Sequence, residues 1–312
     1  MMEISDNQLQ TIPFPSIMVG IPAYNEEKMV GDMVLQAKKY AHLVLVVNDA
    51  SSDNTAIVAE QAGALVITHS ENKGYGGAAL TIFQAAQKYK PDIMILMDAD
   101  GQHDPSDIPR FAAKMQEGYD VVVGSRFLKS EYKEGIPLYR KFGIKILGTA
   151  TNIAANGSVV ISDVLCGYRA FSRKAYEKIR DLDPSMHGSS DIVVQLGDLG
   201  MKFGEIPVSI RYDLENTSKR GPINMGLELL GGVIQVVVTK RPLLFFGLPG
   251  VVLTVVGVIL AIQAFDIVAK TGIWSTNITL VAMMMLMLGM LLVITALILY
   301  AVAQMIQLVS RK

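Results

Sequence analysis

From residue 16 to about residue 210, short β-rich apolar runs alternate with stretches whose apolar residues recur every three or four positions. This pattern predicts strands over 17–21, 43–47, 65–68, 93–97 and 121–124, and helices over 26–40, 53–61, 76–88 and 106–116. The last helix opens with Asp104-Pro105-Ser106, a starter signal. Such alternation builds a mainly parallel α/β sheet with flanking helices. In sheets of this kind ligands bind beyond the carboxyl ends of the strands, so chemistry is expected in the polar clusters that follow them.

The pattern changes at Arg241, after which the only charged residues are Asp266, Lys270, Arg311 and Lys312. Two long uncharged stretches result, 242–265 and 271–310, each able to hold a spanning helix of about 20 residues. Transmembrane helices are predicted at about 243–265 and 278–303. Lys240-Arg241 and Arg311-Lys312 flank the outer ends of the hairpin, and the positive-inside rule puts both on the cytoplasmic side. Residues 223–238 are apolar on most faces with one acidic residue, the pattern of an interfacial helix or of a packed helix of the preceding domain. The expected organisation is an N-terminal extension over 1–15, a catalytic domain over 16–220, an interfacial juxtamembrane helix over 221–241 and a two-helix hairpin over 242–310.

Composition narrows the function classes. A net charge of −1 and a pI near 6.4 provide no basic field for nucleic acid. The single cysteine, Cys166, excludes an internal disulfide and a multi-cysteine zinc site within one chain. The first fifteen residues have no basic segment followed by an apolar one, so no secretory signal is expected. A multi-pass protein of the cell membrane or an endomembrane is expected, with catalytic domain and both termini cytoplasmic.

Asp98-Ala99-Asp100 directly follows the predicted strand 93–97, with Gln102 two residues on. Two carboxylates at a strand's carboxyl end suit Mg²⁺ or Mn²⁺, hard cations that choose oxygen ligands and keep substrate phosphates in their shell. A second Asp-x-Asp, at Asp181 and Asp183, lacks that context.

Five ordered motifs carry a resemblance: Ile21-Pro22-Ala23-Tyr24-Asn25-Glu26, Asn48-Asp49-Ala50-Ser51-Ser52-Asp53-Asn54-Thr55, Asn72-Lys73-Gly74-Tyr75-Gly76-Gly77-Ala78, Asp98-Ala99-Asp100-Gly101-Gln102 and Gly124-Ser125-Arg126. Their order and spacing resemble family 2 glycosyltransferases of GT-A fold, and within them the dolichol-phosphate mannose synthase group, over about residues 16–220. The resemblance implies a Rossmann-like GT-A domain that binds a nucleotide-sugar with Mg²⁺ or Mn²⁺ held by Asp98, Asp100 and Gln102. It implies donor contacts from Pro22, Ala23, Tyr24, Glu26, Asn48, Asp49, Asn72, Gly74, Asp98 and Ala99. A carboxylate at Asp49 can accept a ring N–H of uracil or guanine, and Gly74, Gly76 and Gly77 let backbone approach phosphate oxygens before a helix N-terminus. The family usually has two acids and a glycine where this chain has Asn48, Asp49 and Ala50.

Arg126 and Arg140 resemble the family's binders of an acceptor phosphate, a task that bidentate guanidinium groups suit. Nearby Lys129, Lys133, Lys141 and Lys145 read as a solvated face. Asp163 opens a segment through Phe171 that resembles the one beside the family's reacting centre, so Asp163, Asp100 and Arg126 are the catalytic candidates. Asp191 matches an acidic position only loosely. The family's later Arg and Ser-Lys positions correspond to Arg211 and Ser218-Lys219, with two extra residues and no glycine between them, a departure that resembles archaeal enzymes charging dolichyl phosphate with N-acetylglucosamine. Arg211 and Lys219 are the remaining diphosphate contacts.

The resulting expectation is inverting transfer from GDP-mannose or a UDP-sugar, such as UDP-N-acetylglucosamine or UDP-glucose, to polyprenyl or dolichyl phosphate at a lipid bilayer; a homo-oligomer is compatible with the sequence. Three other readings are weaker. A processive polysaccharide synthase needs a longer span bundle, and the only tryptophan, Trp274, lies in the short outer loop. A different lipid acceptor would keep the same domain. A catalytically dead scaffold would be expected to have lost the acidic pair, which is present.

Overall fold

The computed structural model describes residues 15–129, 148–149, 161–180, 182, 188–209 and 242–310. Two compact units emerge, Met1–Leu230 and Gly231–Lys312.

The first unit is built on a seven-stranded sheet. Its elements run β1 (Ile17–Ala23), α1 (Val30–Ala37), β2 (Leu43–Asn48), α2 (Thr55–Gln61), β3 (Leu65–Thr68), α3 (Gly74–Tyr89), β4 (Ile93–Leu96), a 3₁₀ turn (Pro105–Asp107), α4 (Ile108–Gln116), β5 (Val121–Ser125), β6 (Arg169–Ser172), α5 (Arg173–Tyr176), α6 (Gly188–Asp198) and β7 (Phe203–Pro207). The sheet order is β3-β2-β1-β4-β6-β5-β7. All pairings are parallel except those of β6, which runs antiparallel between β4 and β5. The five predicted strands all form, most of them a residue or two longer at the carboxyl end.

The core strands are apolar on both faces because helices cover both. Met18, Val19 and Ile21 of β1 and Met94, Ile95 and Leu96 of β4 are fully buried, and each such side chain contributes roughly 1.5–3 kcal/mol of transfer free energy. Helix α3 lies close on β1. A Cβ at Gly20 would stand 2.2 Å from Ile82, so glycine is what lets the helix approach. The predicted helix 26–40 starts later, at Val30, and ends at Ala37; ahead of it the backbone N–H groups of Glu26 and Glu27 donate to Thr55 Oγ1 (2.8 Å) and Asp53 Oδ2 (3.2 Å).

In the second unit a five-residue π-helical turn, Leu243–Gly247, leads into α7 (Leu248–Thr271), and α8 (Thr276–Ser310) returns beside it. Contacts pair Gly247 with Ala296, Gly250 with Val293 and Gly257 with Leu286, an antiparallel arrangement. The glycines permit it: a Cβ at Gly250 would stand 2.9 Å from the backbone of Gly289, and one at Gly257 2.9 Å from that of Leu286. The helices extend beyond the predicted 243–265 and 278–303, taking in Asp266 and Lys270, which pair at 2.7 Å one turn apart. Both are long and apolar enough to cross a membrane, and most of their large apolar side chains face outward. The expected interfacial segment 221–241 lies outside the described residues.

Candidate active site

The carboxyl ends of β1, β2, β3, β4 and β5 share one edge with the amino end of the antiparallel β6. This edge collects the polar motifs. It also contains the switch between β1 and β4, where the chain order reverses, the place at which sheets of this kind hold ligands.

On the β1–β2 side, backbone and small polar side chains join two loops. Asn25 adopts a left-handed conformation (φ 56°) and accepts from the Ser52 N–H at 2.8 Å, while its own N–H donates to Ser51 Oγ at 3.0 Å. Glu27 accepts from the Asn54 N–H at 3.0 Å, and Asn48 Oδ1 accepts from the Ser51 N–H at 3.2 Å. Ala50 is left-handed as well (φ 57°), at the position where the resembled family has glycine. Tyr24 projects outward, 51% exposed, while Pro22 is half-buried and Ala23 buried.

Asp49 is buried. Its Oδ1 accepts from the Lys73 N–H at 2.9 Å and lies 2.7 Å from Nδ1 of His69, whose Nε2 lies 2.9 Å from Thr81 Oγ1. Because an ionised carboxylate only accepts, Nδ1 carries a proton. Asp49 thus anchors the loop that holds Asn72 and Gly74 against the end of β2. Asn72 caps that loop by accepting from the Gly74 N–H at 3.0 Å, and Gly74, with φ 73°, opens α3.

On the β4 side stand the acids. Asp98 and Asp100 are half-buried, Ala99 between them is buried, and the Gln102 N–H donates to Asp100 Oδ1 at 3.0 Å. Burial pushes Asp98 up to about 6, against the pull of Arg169 and Arg126. Asp100 is raised by burial and then by Asp98. Across the switch, Glu26 is pushed up to about 7 by burial and by the negative charges of Asp100, Asp53 and Asp98. Gly167 lies against Asp98, where a Cβ would come within 2.7 Å of its carboxylate. His103 is buried and stacks on Tyr168 with centroids 4.9 Å apart; its Nδ1 accepts from the Asp98 N–H at 3.2 Å, and burial holds the ring down to about 4, hence neutral.

Two under-compensated carboxylates, with room kept by a glycine, fit a divalent cation. No cluster of three His, Cys, Asp or Glu side chains closes on one point among the described residues. Asp98 and Asp100 are thus the acidic pair available to a cation among the described residues of this edge, with Gln102 beside them.

Beyond β5 lies a buried ion pair. Arg126 donates from Nε to Asp163 Oδ2 at 2.6 Å and from Nη2 to Oδ1 at 2.7 Å, and its backbone N–H reaches the same carboxylate at 3.2 Å. Asp163 is fully buried and Arg126 4% exposed. Two residues that the sequence assigns to separate tasks therefore form one unit. A second buried arginine, Arg169, donates to the carbonyls of Cys166 and Val164 and fixes the loop between Asp163 and Gly167. From the other side Glu205 of β7 accepts from the N–H and hydroxyl of Ser162 at 2.9 and 2.8 Å, and Ser125 Oγ lies 2.6 Å from Ser162 Oγ. Cys166 is buried, with its thiol pushed up to about 12 by burial, which leaves it inert as a nucleophile.

Arg140, Arg211 and Lys219 lie outside the described residues. The sequence reading missed His69, His103, Arg169, Ser162 and Glu205. His103 adjoins Gln102 and Arg169 lies within the segment that Asp163 opens, so both carried a signal of position; Glu205 carried none, since its partner is 43 residues away.

A sheet with an acidic pair at its switch point, faced by a buried arginine–carboxylate unit, is the frame of a glycosyltransferase of GT-A type. The chain belongs to glycosyl transferase family 2, which its residues 18–180 match. It is 34% identical over 238 residues to an uncharacterised protein of Methanocaldococcus jannaschii, covering 75% of this chain and 97% of that one. It is 29% identical to UDP-N-acetylglucosamine–dolichyl-phosphate N-acetylglucosaminyltransferase of Methanococcus voltae, covering 67% of this chain and 91% of the relative. Dolichol-phosphate mannosyltransferase of Pyrococcus furiosus is 30% identical, with 54% and 49% covered. Glucosyl-3-phosphoglycerate synthase from Mycobacterium tuberculosis, solved with Mn²⁺, UDP and glucosyl-3-phosphoglycerate, shares the fold with a TM-score of 0.55 at 19% identity, over 72% of this chain and 78% of that one.

Proposed function

We propose that this protein transfers one sugar, with inversion, from a nucleotide-sugar to dolichyl or polyprenyl phosphate at the cytoplasmic face of a membrane, giving a lipid-linked monosaccharide for glycan assembly. The donor is GDP-mannose or a UDP-sugar such as UDP-N-acetylglucosamine or UDP-glucose. The observation that carries the reading is the Asp98–Asp100 pair at the β1–β4 switch, close enough to the Arg126–Asp163 unit for Arg126 to stabilise the Asp98 charge. Dolichyl-phosphate enzymes among the relatives and the apolar hairpin support a lipid acceptor.

Mg²⁺ or Mn²⁺ held by Asp98, Asp100 and Gln102 would neutralise the charge of the departing nucleoside diphosphate. The first turn of α3, opened by Gly74, directs backbone N–H groups at anionic oxygens, and Arg211 and Lys219 would add charge there. Pro22, Ala23, Tyr24, Glu26, Asn48 and Asn72 form the rim assigned to base and ribose, with Asp49 holding that rim from beneath. A lipid monophosphate has a second pKa near 6, so it attacks mostly as a dianion and requires no strong base. Asp163, fixed by Arg126, then opposes the positive charge that develops on the sugar. Arg126 and Arg140 would hold the acceptor phosphate, Arg126 while paired to Asp163.

Purified protein with Mn²⁺, polyprenyl phosphate and a panel of labelled GDP- and UDP-sugars should yield a single lipid-linked monosaccharide. Asp100→Ala should remove nearly all turnover while melting like wild type in EDTA. A polymeric product, or transfer only to an unphosphorylated lipid, would replace this reading.

A further inference from the structure

Asp163 lies ahead of β6 in a segment without regular secondary structure, so no sheet ladder holds it. Beside its pair with Arg126, one directional chain of hydrogen bonds does. Glu205 Oε1 accepts from both the N–H and the hydroxyl of Ser162, at 2.9 and 2.8 Å. With its proton committed to that carboxylate, Ser162 Oγ accepts from Ser125 Oγ, 2.6 Å away, and Ser125 Oγ accepts from the Phe127 N–H at 3.2 Å. Burial raises the Glu205 carboxyl, while the hydroxyl and N–H of Ser162 and the N–H of Asp163 favour its charge. The chain therefore takes in the residue before Asp163 and the residues on both sides of Arg126. It ends on a rigid mount, because Glu205 belongs to β7 and pairs in register with Val123 of β5.

We propose that Glu205 is a positioning residue for the transfer reaction: by accepting from Ser162 it fixes the backbone on either side of the Arg126–Asp163 pair, and so sets where that pair meets the sugar and the acceptor phosphate. The inference rests on the pair belonging to the reaction centre. Glu205 acts through Ser162 and takes no proton from the substrates, so what it must supply is an acceptor oxygen at a fixed place. The donor side is held by other bonds, those of Asp49 to the Lys73 N–H and of Asp100 to the Gln102 N–H, and is left in place when Glu205 is lost.

The test compares the full chain in detergent as wild type, Glu205→Ala, Glu205→Gln, Ser162→Ala and Asp163→Asn. For each, transfer to polyprenyl phosphate is measured per folded molecule, with calorimetry of UDP and GDP binding in Mn²⁺ and thermal melting alongside. Glu205→Ala should lower kcat/KM for the lipid acceptor about a hundredfold, the scale of a displacement of about 1 Å at a reacting centre, with nucleotide affinity unchanged. Glu205→Gln keeps an acceptor oxygen and should restore most of the loss. Ser162→Ala breaks the chain at one hydrogen bond and should lower kcat/KM about twofold to tenfold; it carries the test if Glu205→Ala does not fold, and an unchanged kcat/KM there overturns the proposal. A lower melting point of Glu205→Ala with wild-type kcat/KM would make the residue purely structural, and a Gln variant as slow as the Ala variant would mean that its charge acts on the substrates directly. Either result overturns the positioning role. Full activity in Glu205→Ala beside a loss in Asp163→Asn discards Glu205 alone, whereas full activity in Asp163→Asn, or no transfer by the wild type, removes the reading on which the proposal rests.

Discussion

The two sides of the catalytic edge are held together by different physics. The β1–β2 rim joins loops that are 26 or 27 residues apart through short polar side chains and backbone N–H groups, mostly open to water. The β4–β5–β6 side relies on charge removed from water: Arg126 with Asp163, Arg169 on its carbonyls, and the raised acids Asp98 and Asp100. Hydrogen bonds at an exposed rim are each worth about 0.5–1.5 kcal/mol and tolerate exchange. A buried ion pair is costly to break from one side, because the partner is left charged and unsolvated. A rim of the first kind can adapt its shape, whereas the second keeps its charges in fixed positions.

The largest effect that would sharpen this contrast is expected at the ion pair. Arg126→Ala or Asp163→Ala should each lower stability by about 3–5 kcal/mol, and the double variant should lose much less than the sum. Melting of all three variants measures this. Additive losses would mean that the two side chains act independently. On the other rim, Ser51→Ala, which removes the acceptor of the Asn25 N–H, should cost no more than about 1.5 kcal/mol.

A middle-sized effect comes from Glu26, where the two sides meet. Its folded carboxyl titrates near 7, above its ordinary value of 4.5. The folded state therefore keeps a proton that the unfolded chain has already released, so the contribution is fully present below about pH 4.5 and is lost as pH rises through 7. In EDTA, stability should fall across that window by about 1–2 kcal/mol, after discounting for the solvent that reaches this half-buried group. Glu26→Gln should lessen the fall, most visibly near pH 7, leaving the part due to the raised Asp98 and Asp100. A slope unchanged by that substitution would assign the dependence elsewhere.

The smallest effect lies at Ala50. Its left-handed backbone costs a residue with a Cβ about 1–2 kcal/mol, part of which glycine returns through its freer unfolded chain. Ala50→Gly should therefore stabilise by about 0.5–1 kcal/mol in a denaturant titration, a gain confined to the exposed rim. Destabilisation would show that the alanine methyl group makes packing contacts worth more than the strain.

The sequence alone determined β1 to β5 and their polar ends, because an apolar run bounded by Asp, Asn or Gly is a local signal of burial followed by exposure; β7 (Phe203–Pro207) was not foreseen. The sequence also determined the acidic pair's place beside β4 and the uncharged hairpin, since both depend on neighbours in the chain. The antiparallel β6 was not legible: four residues, Arg169–Ser172, give no periodicity, and their insertion between β4 and β5 depends on what those strands leave unpaired. The Arg126–Asp163 pair, 37 residues apart, and the Asp49–His69 contact, 20 apart, arose only when the sheet brought strand ends together. Charge type can be read from a residue, but its partner, its burial and hence its proton affinity are properties of the space around it, which tertiary structure alone supplies.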